Sequence, residues 1–169
     1  MSGNAVFQVH VNEQACSRFS QERYPAHSEY LQSPSRGNVR LEGGQLGILV
    51  VDDEPAIRNL LAIILGRHGF VVWQAGSGWE ALKIYQQERP NIALVLLDVC
   101  MPEWDGAQTL AALQKLDPAV RCCFLTGHAG AYGDQELRRL GAEWVYTKPF
   151  RPAALVASLG RLVTRPTAG

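Results

Sequence analysis

Along residues 46–165, short aliphatic runs alternate with stretches in which apolar positions recur every three to four residues. A short apolar run bounded by turn residues reads as a buried strand, and a 3.6-residue stripe reads as a helix laid on a sheet. The first strand, 48–51, ends on Asp52-Asp53. Pro55 suits the first turn of the helix that follows, where its missing N–H costs nothing. Ile57, Leu60, Leu61, Ile64 and Leu65 then form one stripe, closed by Gly69 as a C′ residue. A second strand covers 70–74, and Ser77 with Glu80 forms a capping-box pattern opening a helix to about 88, with Leu82 and Tyr85 inward. Pro90-Asn91 breaks the chain before the central run Ala93-Leu94-Val95-Leu96-Leu97-Asp98, an apolar strand that stops on one carboxylate.

After a proline-marked loop, Asp105 and Gln108 give a second capping-box pattern for a helix through Leu110 and Leu113, stopped by Asp117-Pro118. A strand over 120–125 ends on Thr126, and a loop with Gly127, Gly130 and Gly133 leads to a short helix carrying Leu137 and Leu140 and closed by Gly141. The fifth strand, 144–146, runs into Thr147-Lys148-Pro149, and the last helix places Leu155, Leu159, Leu162 and Val163 on one side. This alternation predicts an α/β fold, a doubly wound five-stranded parallel sheet with helices on both faces. Residues 1–45 have a different texture, rich in Ser, Gln, Glu, Arg and Gly with few clustered aliphatics, and read as a flexible polar segment. Only 7–11 alternates apolar and polar as a short strand would; Gly43-Gly44 marks the hinge, and 166–169 is a tail.

Composition narrows the picture. Sixteen Lys and Arg balance sixteen Asp and Glu, which argues against a nucleic-acid module with its basic excess. No apolar run is long enough to span a membrane and the first residues lack a secretory core, so the expected location is the cytoplasm. The four cysteines, Cys16, Cys100, Cys122 and Cys123, have neither zinc-ligand nor C-x-x-C spacing. Adjacent Cys122 and Cys123 should face opposite sides of a strand as small buried hydrophobes. His10, Cys16 and His27 show no metal-ligand spacing and read as solvated.

The chemistry lies in what terminates the strands: Asp52 and Asp53 after the first, Asp98 after the third, Thr126 after the fourth and Lys148 after the fifth. In a parallel sheet all these ends share one rim, where ligands of open α/β sheets bind. Each has an ordinary reading alone: Asp53 as a cap, Thr126 as a turn hydroxyl, Lys148 as a solvated charge. Together they are hard to assign to coincidence. Three neighbouring carboxylates raise one another's pKa unless a cation compensates, and one lysine cannot balance three. A hard divalent ion that keeps its waters and pairs with phosphate oxygens, Mg²⁺, is the natural complement. Carboxylate, amine, hydroxyl and Mg²⁺ are the parts needed for phosphoryl transfer.

Four motifs carry a resemblance: Leu49-Val50-Val51-Asp52-Asp53-Glu54-Pro55; Leu96-Leu97-Asp98-Val99-Cys100-Met101-Pro102 with Asp105-Gly106; Leu125-Thr126-Gly127; and Thr147-Lys148-Pro149-Phe150. In this order and spacing the chain resembles the receiver domain of two-component response regulators over about 46–165. The resemblance implies a flavodoxin-like sheet of order 2-1-3-4-5 and a cis Lys148-Pro149 peptide. It implies that Asp98 accepts a phosphoryl group from a histidine kinase or phosphotransfer protein. Asp53, Asp98 and the backbone carbonyl of Cys100 would hold Mg²⁺, with Asp52 helping through water. Lys148 would pair with the phosphoryl group and Thr126 would hydrogen-bond it, its inward movement repacking the face made by the fourth helix, fifth strand and fifth helix.

The chain departs from the family at Val145, where a Tyr or Phe usually stands three residues before the lysine; Trp144 and Tyr146 flank it. A signal is therefore expected to pass through helix movement or through Trp144 or Tyr146. Cys100 and His128 fall at positions that border the phosphoryl group in this family. No helix-turn-helix or cyclase motif follows the last predicted helix, giving the expectation of a single-domain receiver that binds a protein partner. Alternatives are a phosphorelay intermediate or phosphate sink, a Mg²⁺-dependent phosphatase, and a degenerate receiver that only binds. The phosphatase reading wants a second Asp two residues after the nucleophile, where Cys100 stands. The complete acidic set with Thr126 and Lys148 argues against a degenerate receiver.

Overall fold

The computed structural model describes residues 45–127 and 132–164. The expectations for 1–44, His128 and 166–169 lie outside the described residues. Five parallel strands, β1 (Leu46–Val51), β2 (Phe70–Ala75), β3 (Ile92–Asp98), β4 (Cys122–Thr126) and β5 (Trp144–Thr147), lie in the order β2-β1-β3-β4-β5. They alternate with helices α1 (Pro55–Arg67), α2 (Gly78–Glu88), α3 (Gly106–Leu116), α4 (Asp134–Arg139) and α5 (Pro152–Thr164). Strand order therefore reverses beside β1 and β3, the topological switch point of such a sheet.

β3 is the central strand and every one of its residues is buried, which is why it reads as an unbroken apolar run. Alternating side chains divide the interior into two layers. Leu49, Val51, Val95, Leu97, Cys122, Phe124 and Val145 pack with Tyr85 of α2, Leu110 and Leu113 of α3 and Leu137 of α4. Ile48, Val50, Leu94, Leu96, Cys123 and Leu125 pack with Ile57, Leu61 and Leu65 of α1 and Leu155, Leu159 and Leu162 of α5. Cys122 and Cys123 thus fall in opposite layers, and burial pushes both thiols up, Cys123 to about 12. In α1, Leu60 and Ile64 border the stripe and are only half-buried.

The helix ends follow their sequence signals with one difference. Gly69 takes φ +83 directly after α1, a left-handed conformation that suits glycine. Asp105 and Gln108 close both halves of a capping box on α3. Ser77 caps α2 by accepting the Glu80 N–H at 3.2 Å. The Glu80 carboxylate, however, takes the N–H of Gly76 at 2.7 Å, one residue before the cap. It still satisfies a donor at the helix entrance.

At the rim opposite the strands' carboxyl ends, a buried carboxylate and a partly buried guanidinium tie elements together. Asp117, which reads as a helix stop, is 1% exposed. It accepts the Tyr85 hydroxyl at 2.8 Å and Arg89 Nε at 3.1 Å, joining α3 to α2. Arg121 forks onto Glu143 at 2.5 and 2.9 Å and donates to the Leu162 carbonyl at 2.6 Å. That single guanidinium links the starts of β4 and β5 to the last turn of α5.

Candidate functional site

Asp98 is the last residue of β3 and is 5% exposed. Its backbone pairs with Leu125, and the Val99 N–H continues the ladder to the Leu125 carbonyl at 3.0 Å. The following loop folds straight back, because the Gly106 N–H donates to the Val99 carbonyl at 2.9 Å. A Cβ at Gly106 would lie 2.3 Å from the Asp98 carbonyl oxygen, so only glycine fits there. The Asp98 carboxylate is aimed by two donors: Lys148 Nζ at 2.6 Å on Oδ1 and the Cys100 N–H at 2.9 Å on Oδ2.

Lys148 reaches this point because β5 runs parallel to β4, with Thr126 opposite Thr147. Its N–H donates to the Thr126 carbonyl at 2.6 Å, and the Lys148-Pro149 peptide is cis, as the resemblance implied. The same ammonium donates to Asp52 Oδ2 at 2.8 Å. Asp52 is 1% exposed and held on all sides. Its N–H reaches the Ala75 carbonyl, its Oδ1 accepts the Glu54 N–H at 2.9 Å, and its carbonyl accepts Arg58 Nη1 at 2.5 Å. Thr126 ends β4, 2% exposed.

The structure therefore gathers Asp52, Asp98 and Lys148 through direct bonds, with Thr126 joined to Lys148 through the backbone. Asp53 stands two residues beyond the end of β1 and is exposed. Among the described residues, no three His, Cys, Asp or Glu side chains stand grouped to hold a metal ion.

Burial pushes the Asp98 carboxyl up to about 6; Lys148 opposes the shift and the Asp52 charge adds to it. Mutual repulsion, the cause expected from sequence, ranks behind desolvation. Asp53 is raised too, by partial burial and then by Asp52, with its own backbone N–H, Lys148 and Arg58 opposing. Burial pulls Lys148 down, but the facing Asp98 and Asp52 carboxylates outweigh it and hold the ammonium charged above its ordinary value. Two buried carboxylates, Asp52 and Asp98, thus share one ammonium, with the exposed Asp53 carboxylate next to Asp52 in the chain, and all three offer oxygen ligands. That donor set fits a hard cation that keeps part of its water.

Around this centre, Val145 is buried in the layer under α2, α3 and α4. Trp144 is 45% exposed with Arg138 over its ring at 4.5 Å, and Tyr146 donates its hydroxyl to Ser158 Oγ at 2.8 Å. Sequence reasoning missed three features. Arg58 braces the first acidic pair from α1. Trp79 and Trp104 stack with centroids 4.3 Å apart, and Tyr132 donates to Asp105 at 3.0 Å. Only Arg58, on the first turn after Asp52-Asp53, had a positional signal in the chain.

Comparison with known proteins gives one family. Residues 48–160 match the family described as response regulator receiver domain. Sporulation initiation phosphotransferase F of Bacillus subtilis is 38% identical over 103 residues, covering 61% of this chain and 82% of that protein. A probable transcriptional regulator, ycf27 of Cyanophora paradoxa, is 42% identical over 122 residues, 70% of this chain but 48% of its own length. The chain thus spans most of the first relative and about half of the second. Among solved structures, the CheX-CheY-BeF3-Mg²⁺ complex of Borrelia burgdorferi is similar, with TM-score 0.68 and 25% identity over 76% of this chain and 97% of that one. With its strand order, its acidic pair, Asp98 and Lys148 on one rim and this match, the chain belongs to the receiver domains of two-component response regulators.

Proposed function

We propose that Asp98 is the phosphoacceptor, taking a phosphoryl group from the phosphohistidine of a histidine kinase or phosphotransfer protein. The observation that carries this reading is the Lys148 ammonium bonded to Asp98 Oδ1 at the carboxyl end of the central strand, in a chain of the receiver family. In the transfer, a carboxylate oxygen of Asp98 forms the new bond to phosphorus while the phosphorus–nitrogen bond of the donor breaks. The imidazole leaves with the electron pair. Lys148 stays charged and follows the negative charge onto the phosphoryl oxygens, and the Thr126 hydroxyl donates a hydrogen bond to one of them. The Cys100 N–H keeps the other carboxylate oxygen in place. Asp53, Asp98 and the Cys100 carbonyl, with Asp52 assisting, are the residues that would hold Mg²⁺, which when bound offsets the charge crowded at this rim. The Borrelia relative was solved with BeF3 and Mg²⁺, which supports that assignment.

Under this reading the chain catalyses only its own phosphorylation and dephosphorylation, and signals by a phosphorylation-dependent protein contact in the cytoplasm. The relay reading has an observation of its own, the similarity to a sporulation phosphotransferase over 82% of its length. Incubation with Mg²⁺ and acetyl phosphate is expected to label the wild type and leave Asp98→Asn unlabelled; equal labelling would move the acceptor elsewhere. Removal of the label by a phosphotransfer-domain histidine would favour the relay.

A further inference from the structure

Asp52 is tied down at every polar group it has. Its N–H donates to the Ala75 carbonyl at 3.1 Å, at the end of β2. Its carboxylate takes the Glu54 N–H and the Lys148 ammonium, and its carbonyl takes Arg58 Nη1 at 2.5 Å. That carbonyl belongs to the planar peptide unit joining Asp52 to Asp53, so the guanidinium fixes the plane from which the Asp53 side chain departs. Arg58 is itself well placed for this. Its N–H bonds back to the Glu54 carbonyl at 3.2 Å. Its guanidinium lies over Gly76 in the turn that opens α2, where an added Cβ would come within 3.3 Å of Nη1. The Gly76 N–H is held in turn by Glu80 at 2.7 Å. One side chain thus clips the loop after β1 to the loop after β2.

We propose that Arg58 is a positioning residue for the divalent cation: by clamping the Asp52-Asp53 peptide it presets the Asp53 carboxylate, and it raises Mg²⁺ affinity although it is itself a cation. The inference rests on Asp53 as a Mg²⁺ ligand. A positive side chain beside such a site has two opposed effects. Its charge repels the metal, and its hydrogen bond orders a loop that the metal would otherwise have to order. The first effect is small here. Arg58 is half-buried, so water screens it, and among the groups acting on the Asp53 carboxyl it ranks last, behind burial, Asp52, the backbone and Lys148. The second rests on a short, charge-assisted bond, which belongs to the stronger class. Groups that orient a metal's ligands from outside the ligand shell are worth about 10–100-fold in affinity.

Mg²⁺ binding to the full chain is measured by titration calorimetry for the wild type, Arg58→Lys and Arg58→Met, with acetyl phosphate labelling of the same samples. Lysine keeps the charge but has no planar fork to span the Asp52 carbonyl and Gly76 together. Arg58→Lys is expected to weaken Mg²⁺ about tenfold, with the number of ions bound per folded molecule unchanged. Arg58→Met should weaken it by less, since it also removes the repulsion. At saturating Mg²⁺ both variants should regain the wild-type labelling rate, a split between affinity and rate that a general defect of folding would not give. Wild-type Mg²⁺ affinity in Arg58→Lys overturns the proposal. So does binding by Arg58→Met as tight as the wild type or tighter, which would leave the guanidinium acting only through its charge, and so does labelling that stays slow at saturating Mg²⁺. A wild type that binds no Mg²⁺ overturns the ligand assignment and the brace with it, whereas a wild type that binds Mg²⁺ and takes no label overturns only the acceptor role of Asp98.

Discussion

The Lys148 ammonium lies 2.6 Å from Asp98 Oδ1 across fifty residues of sequence, and both side chains are under 10% exposed. Since the same nitrogen also serves Asp52 at 2.8 Å, one cation supports two buried carboxylates. Lys148→Ala leaves both behind, and breaking a buried pair in this way costs about 3–5 kcal/mol. Urea unfolding at neutral pH should show a loss in that range. Adding Asp98→Asn should return part of it, because the two substitutions share one interaction. A strictly additive double variant would contradict this.

Asp98 should also govern how stability varies with pH when Mg²⁺ is chelated. Its folded-state pKa is raised from 3.8 to about 6, so its contribution to stability is full below the unfolded value and is lost as pH rises through the folded one. The loss is about 2–3 kcal/mol at one pH unit per 1.36 kcal/mol. With EDTA present, the urea midpoint of the wild type should fall between pH 4 and about 7. Asp98→Asn should fall less and be the more stable protein at pH 7.5. Asp53 shifts in the same direction, so a smaller slope remains in the variant.

Gly106 sets the distance between α3 and the acceptor. Because its added Cβ would meet backbone rather than a flexible side chain, Gly106→Ala should cost about 1–3 kcal/mol. It should also slow acetyl phosphate labelling per folded molecule, as the Asp98 carbonyl is displaced. Calorimetry and labelling on the same sample separate the two effects.

Asp117 provides the opposite case. Asp117→Ala removes the buried carboxylate that accepts from both the Tyr85 hydroxyl and Arg89 Nε, with an expected cost of about 1–3 kcal/mol. It lies at the rim away from Asp98, so labelling per folded molecule should match the wild type. Slowed labelling would show that the two ends of the sheet are coupled.

Much of this was legible in the chain because the sheet is parallel. Such a sheet buries its strands on both faces, so β3 and β1 stand out as aliphatic runs, and it brings every carboxyl end to one rim, so Asp52, Asp98 and Lys148 could be grouped before any contact was seen. What escaped depended on single-residue geometry or distant partners. Asp53 differs from Asp52 by one position, and that step takes it from the buried residue just after β1 to the surface. Asp117 reads as a helix stop because its partners Tyr85 and Arg89 are 32 and 28 residues away. The Tyr132–Asp105 bond and the Trp79–Trp104 stack join loops whose paths no periodicity encodes. The size of the Asp98 shift follows from how completely β3 is enclosed, a property of the packed layers.

The Arg121 fork fixes what α5 can do. Its hold on the Leu162 carbonyl and on Glu143 pins the far end of that helix to the starts of β4 and β5, while the near end follows directly from Lys148. Any push delivered at the lysine end therefore meets a fulcrum, and α5 answers as a lever that swings through an arc and does not slide along its axis.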